Sequence, residues 1–283
     1  MRILFGILLL TVTVLRPAHA YAWGEEGHRL ICGLALTYLS DDGKKFVKDT
    51  LALGKDLDGN GKNDFPDACL WADKVKYTTY QGTYEEHFLN VPSNQQHIDF
   101  AKDCAAMDCI AVGIQRSLVY LSEPAESKRE KGRKAAALRF LGHLIGDLHQ
   151  PLHISNAEDR GGNLIKVDWF GKPTNLHAIW DAGIIEHAGL TYPDGMKRLA
   201  ALKETVGSTN VLEWMRESFQ LAREKAYKDS NGKEIRSGAR LGADYYRRSE
   251  PIVTHQLAKA AVRLAYLINL LAAGKLDPNI LIN

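Results

Sequence analysis

The stretch from Ala135 to Leu148 constrains this chain more than any other. Leu138, Leu141, Ile145 and Leu148 recur at helical spacing, and Pro151 ends the pattern. Within this helix His143 and Asp147 stand four residues apart, so their side chains leave one face on adjacent turns. Such a pair offers one neutral nitrogen and one anionic oxygen, both suited to zinc. One pair alone carries little weight. Here His177 and Asp181 repeat the spacing, His153 follows just past Pro151, and Asp73 and His87 lie upstream. The recurrence predicts a helical protein built around metal ions.

Other segments read the same way. His28 to Leu39 carries Leu30, Ile31, Leu34, Ala35 and Tyr38 at helical spacing. Pro251 to Ala273 carries Val253, Leu257, Ala261, Leu264, Ile268 and Leu271, which predicts a long helix, amphipathic or buried. Gly161-Gly162-Asn163 and Phe170-Gly171-Lys172 punctuate the middle, with a short hairpin expected around Ile165 to Phe170. No repeat, low-complexity tract or linker divides the chain. The expected architecture is one compact all-α domain over residues 23–283 with that small β-hairpin. A net charge of +2 provides no global basic field for duplex binding, so attraction for phosphate would fall to metal ions.

At the N-terminus, Arg2 precedes an apolar run from Ile3 to Leu15, followed by small residues at Ala18, Ala20 and Ala22. That is the layout of a secretory signal over residues 1–22, too short to span a bilayer, although a membrane anchor is the alternative. Cleavage fits after Ala20 or after Ala22; only the second frees the α-amine of Trp23, five residues before His28. No other stretch is apolar enough for a membrane span, so a secreted or periplasmic protein is expected, without stable membrane association. Export makes disulfides plausible. Cys104 and Cys109 suit a local loop, leaving Cys32 with Cys69; a cysteine zinc site, the other option, lacks C-x-x-C spacing.

The motif order resembles the nuclease S1/P1 family. It begins with Trp-Gly-x-x-Gly-His at Trp23 to His28, then Trp-Ala-Asp at Trp71 to Asp73 and His-Phe at His87-Phe88. The long motif Arg-Phe-Leu-x-His-x-Ile-Gly-Asp-x-x-Gln-Pro-Leu-His follows from Arg139 to His153. Gly161-Gly162-Asn163 and Asn175-Leu176-His177-x-x-Trp180-Asp181 complete it. Position by position, the resemblance implies three zinc ions. One takes Asp73, His87, His143 and Asp147. A second takes the amine and carbonyl of Trp23 with His28, and Asp147 bridges it to the first. The third takes His153, His177 and Asp181, with positions left for water and phosphate.

The resemblance further implies hydrolysis of single-stranded DNA and RNA, with removal of 3′-phosphates from nucleotides as a related activity. Two zincs about 3.5–4 Å apart would activate a bridging water as hydroxide for in-line attack on phosphorus, leaving a 5′-phosphate. Three dications against three carboxylates leave a positive excess that suits a phosphodiester. Phe88 is implied to stack a base and Asn163 to hold the nucleotide. Two positions depart from the fungal pattern: Lys76 stands for Arg, and Asn90 for Asp. Both belong to the implied catalytic and substrate-contacting set, so base preference and rate are open at these positions; a Lys keeps the charge but not the bidentate fork.

Asp56, Asp58, Asn60, Asp64 and Asp67 fall at positions 1, 3, 5, 9 and 12 of an EF-hand-like calcium loop with Gly61 at position 6; a polar surface turn is the plain alternative. His149 lies on the same helix as His143 and Asp147 but off their face, and His97, His187 and His255 have no partner pattern; all four are expected at the surface or hydrogen-bonded. Tyr245, Tyr246, Arg247 and Arg248 suit either nucleic-acid contact or a solvated helix start. Competing functions are a zinc phospholipase C and a zinc-binding protein without turnover. The Trp23–His28 spacing and Asp rather than Glu at 181 favour the nuclease. No protein partner is implied.

Overall fold

The computed structural model describes residues 23–54, 57 and 64–277. The expected signal segment, and Asp56, Asp58 and Asn60 of the calcium-loop reading, lie outside them. Of that loop's remaining residues, Asp64 caps a short helix, Phe65–Ala68, by accepting the Asp67 N–H at 2.9 Å. Asp67 accepts from Arg29 Nε at 2.7 Å.

Six helices of more than ten residues make the body among the described residues. They are α1 (Gly24–Tyr38), α2 (Asp41–Ala52), α3 (Ile110–Ser122), α4 (Lys128–His149), α5 (Val211–Leu221) and α6 (Ala243–Ala272). The all-α expectation holds. Helix α4 is its axis: every residue from Ala135 to His149 is buried, with α1, α2, α3, α5 and α6 packed around it. Its start lies earlier than the apolar pattern, at a capping box in which Ser127 and Glu130 satisfy each other's backbone N–H groups.

Helix α6 likewise begins eight residues before Pro251. A proline inside a helix removes one backbone hydrogen bond. Burial of the preceding turn offsets that loss. Tyr245 is 2 % exposed; its hydroxyl accepts from Trp180 Nε1 at 2.7 Å and donates to the Ala226 carbonyl at 2.6 Å. Tyr245 is therefore a core residue, neither solvated nor available to nucleic acid. Arg247 pairs with Asp244, and Arg248 donates to the Lys225 carbonyl at 2.9 Å.

The strands are short. β1 (Leu89–Val91) pairs in parallel with β2 (Ile154–Asn156), with Leu89 opposite Ile154. β3 (Lys166–Trp169) and β4 (Lys172–Asn175) form the hairpin, and β5 (Arg240–Leu241) flanks β3. Phe170 and Gly171 are the hairpin's turn, with φ of 50° and 82°, so the second strand runs on past the expected boundary. Disulfides join Cys32 to Cys69 and Cys104 to Cys109, as spacing suggested. A β-carbon at Gly142 would lie 2.4 Å from Cys69 Sγ, so α4 passes against this bridge only because position 142 has no side chain. Among the described residues no helix is long and apolar enough to cross a membrane.

Candidate metal centre

Five separate stretches deliver side chains to one buried point. His28 comes from the first turns of α1, Asp73 from the short helix Trp71–Val75, and His87 from the segment leading into β1. His143 and Asp147 come from α4, with His153 just beyond it. Asp181 lies within a π-helical turn, Ile179–Gly183, and His177 in the short helix before it, which is capped by Asn175 accepting from the Ala178 N–H at 2.8 Å. Three sets of ligand atoms result, each with its members within 4.8 Å of one another: His28/Asp73/His143, His87/His143/Asp147, and His153/His177/Asp181.

Asp147 joins the sets. Its Oδ2 lies 2.9 Å from His87 Nδ1 and 3.1 Å from His143 Nε2, while Oδ1 faces His28 Nε2 at 3.3 Å. Asp73 Oδ1 is 3.4 Å from His143 Nε2 and 3.6 Å from His87 Nδ1. In the third set His177 Nε2 is 3.2 Å from Asp181 Oδ2, and His153 Nε2 is 3.8 Å from Asp181 Oδ1. Trp23 is fully buried and donates its indole N–H to the Gly146 carbonyl at 2.7 Å, one residue from Asp147.

The ring orientations are those of metal ligands. His143, His153 and His177 turn Nδ1 to the carbonyls of Cys69, His87 and Gly161, each at 2.7 Å, which leaves Nε2 as a lone-pair donor toward the centre. Gln150 holds Asp181 by donating to Oδ1 at 2.6 Å. Both nitrogens of His28, Asp147 Oδ1, His153 Nε2 and Asp181 Oδ2 are buried without a hydrogen-bond partner. Unpaired buried polar atoms are costly. Cations bound among them would satisfy these atoms, and a nitrogen–oxygen donor set fits zinc.

Charge points the same way. Burial holds His87 down to about 4 and His177 down to about 3, and lowers His28 and His153, so these rings are neutral, the form a metal requires. His143 is the exception. Burial opposes its charge, but Asp147 and Asp73 outweigh burial and raise it to about 10. That spot between two carboxylates calls for a positive charge. Asp181 is raised well above the carboxylate range by burial and then by the charge of Asp147, and among the described residues no Lys or Arg forms an ion pair with it.

A cleft of about 560 Å³ opens onto the centre at His87, His153 and His177. Lys76, Phe88, Asn90 and Asn163, the substrate residues expected from sequence, all line it. Sequence reasoning missed Tyr77, Tyr84, Glu85, Arg160 and Leu164, which line it too. The Tyr84 ring meets Phe88 edge-on at 5.7 Å and Tyr77 at 5.6 Å. Adjacency of Tyr77 to Lys76 and of Tyr84 to the His87-Phe88 motif was the available signal. The background histidines stay apart from the centre: His149 bonds to Ile145 and Arg263, His255 pairs with Glu204, and His187 stacks on Phe170 at 4.2 Å.

The sequence profile of the S1/P1 Nuclease family matches residues 23–273. Endonuclease 2 of Arabidopsis thaliana is 32% identical over 289 residues, covering 93% of this chain and 95% of that protein. Nuclease S1 of Aspergillus oryzae (strain ATCC 42149 / RIB 40) is 27% identical over 282 residues, covering 89% and 93%. Nuclease P1 of Penicillium citrinum is 29% identical over 163 residues, or 56% of this chain and 57% of that protein.

Proposed function

Because the chain belongs to the S1/P1 nuclease family, a family of phosphodiester hydrolases, we propose that it cleaves single-stranded DNA and RNA to 5′-phosphorylated products, with 3′-nucleotidase activity at the same centre, using three zinc ions. Zinc held by these residues would supply Lewis acidity to phosphoryl oxygens and would lower the pKa of water. The chain's own residues divide the remaining work. Asp147, with one oxygen toward each of two ligand sets, holds two cation positions in register. His87 and Asp73 complete one, His28 the other, and His153, His177 and Asp181 hold the third. Lys76, 2.5 Å from Asp73 and at the cleft wall, is placed to meet charge that develops at the scissile phosphate. Phe88 gives an unpaired base a ring to stack on, and Asn90 and Asn163 offer amides to its polar edge. Duplex bases, already stacked, gain nothing from such a surface.

Maturation belongs to this reading. Cleavage after Ala22 adds the amine and carbonyl of Trp23 to the His28 set in an exported protein. The family match beginning at Trp23 and the indole bond to Gly146 support it. The split orientation of the Asp147 carboxylate carries the proposal. Asp147→Asn is expected to lower turnover of single-stranded DNA at least about 10³-fold and to cost at least one zinc per chain, read by elemental analysis of secreted protein. Near-normal turnover with three zincs would overturn the shared role. N-terminal sequencing that begins at Tyr21 would remove Trp23 from the ligand set.

A further inference from the structure

We infer that the single strand bound at the metal centre continues onto a second, basic surface at the start of α4, reached across the 77–85 segment. The inference rests on the nuclease reading above. On one side of that segment Tyr77, Tyr84 and Glu85 face the catalytic cleft. On its other side Tyr80, Gly82 and Thr83 line a separate groove of about 370 Å³, closed by Tyr120, Arg116 and Arg133. Arg116 ties the two together, because it forks onto Glu86, the residue before His87. The Arg133 guanidinium lies over the Tyr120 ring at 5.2 Å, a flat cation–aromatic face of the kind that takes nucleobases and phosphate alike. No Cβ-level neighbour lies within 4 Å of Gly82, so the ridge between cleft and groove is open at that point.

Next to this groove runs Lys128-Arg129-Glu130-Lys131-Gly132-Arg133-Lys134, the first two turns of α4. Lys128, Arg129, Lys131 and Arg133 are exposed, and none is in an ion pair among the described residues. The one acid in the run, Glu130, accepts from the N–H groups of Glu126 and Ser127, and of these cations only Arg133 bears on its charge. Cations at a helix N-terminus oppose its dipole and would not be selected by helix stability. On a chain carrying only +2 overall, these four exposed cations lie within six residues of one another. Polyanion binding explains that placement, and continuity with the cleft identifies the polyanion as the flanking part of the substrate strand.

The test neutralises the surface with Lys128→Gln, Arg129→Gln, Lys131→Gln and Arg133→Gln together, and compares a 30-nucleotide single strand with a dinucleotide. Expected for the long strand is a KM raised about tenfold at low salt, with a log–log salt slope flattened by about 3 for four lost phosphate contacts. Anisotropy of a hydrolysis-resistant phosphorothioate 30-mer on the holoenzyme should weaken equally. The kcat and all dinucleotide kinetics should stay at wild-type values. Unchanged KM and affinity for the long strand would overturn the inference, as would equal losses on both substrates. If wild-type protein cleaves neither substrate, the nuclease reading fails separately; phosphorothioate binding then decides the surface, supporting it if neutralisation weakens binding and overturning it if not.

Discussion

Lys76 meets two conflicting demands on a single charge. It is 7 % exposed, its Nζ lies 2.5 Å from Asp73 Oδ1, and although burial disfavours its charge, Asp73 raises its pKa. A cation bound by Asp73 competes directly with that ammonium: unit charges about 4 Å apart at an effective dielectric near 20 repel by on the order of 4 kcal/mol. The same charge at the cleft wall favours a developing phosphoryl anion. Lys76→Met should therefore move two measurements in opposite directions. Zinc affinity in chelator competition should rise about tenfold, while kcat falls about 10²-fold, the usual scale for one electrostatic contact. A variant that loses zinc more easily would show that Lys76 supports the ligand rather than opposing the metal. At this scale the sequence was legible where spacing is chemistry: the eight His and Asp side chains singled out by their order are the ones the fold brings together. The Lys76 ion pair also had a trace, the i,i+3 spacing from Asp73, but Arg160 had none, because a cleft wall set by turns in three dimensions leaves no periodic signal.

Among elements, the turn between β2 and β3 depends on a residue far along the chain. Tyr227 donates to Asp159 Oδ1 at 2.7 Å, the same oxygen accepts the Gly162 N–H at 2.6 Å, and the Gly161 carbonyl accepts from His177 Nδ1 at 2.7 Å. Burial raises the Tyr227 pKa, so its hydroxyl remains a donor. Gly161 has φ of +64°, and a β-carbon there would sit 2.3 Å from the Leu152 carbonyl oxygen. One phenol thus braces a left-handed glycine turn that fixes the tautomer of His177, a proposed zinc ligand. Tyr227→Phe should cost about 1–2 kcal/mol of stability. It should also speed release of the His153/His177/Asp181 zinc to a chelator several-fold, leaving the other two ions at their original rates. Equal acceleration of all three would make Tyr227 a general core residue. Elements were read from sequence in proportion to their length. Fourteen residues around His143 repeat a buried face often enough to announce a helix. The three-residue strands β1 and β2 cannot alternate visibly, and their pairing spans 65 residues from Leu89 to Ile154. The early start of α6 was hidden because burial of Tyr245 outweighs the signal of Pro251.

For the molecule as a whole, folding assembles a cluster that bound cations would make favourable. Three carboxylates and five imidazoles converge where most are under 5 % exposed, so ligand charge and core packing oppose each other until metal binds. The Cys32–Cys69 bridge shares this load. It closes a 37-residue span, worth about 3–4 kcal/mol in chain entropy, and fastens the helix bearing His28 to the segment before Asp73. Family membership and the order of the His and Asp motifs were legible in the sequence; the depth at which they are buried was not, since burial of a His or Asp is decided by what packs around it. The consequence is measurable. Each zinc held a thousandfold above its Kd adds about 4 kcal/mol to the folded state, and at this chain length each kcal/mol is worth roughly 2–4 °C. Complete chelation with disulfides intact should thus lower the melting temperature by at least about 10 °C. Zinc should restore it, and magnesium should not, because imidazole-rich sites hold hard oxygen-seeking ions poorly. A melting temperature indifferent to chelation would mean the packed helices carry the centre unaided, and the unpaired polar atoms of His28, Asp147 and Asp181 would need another partner.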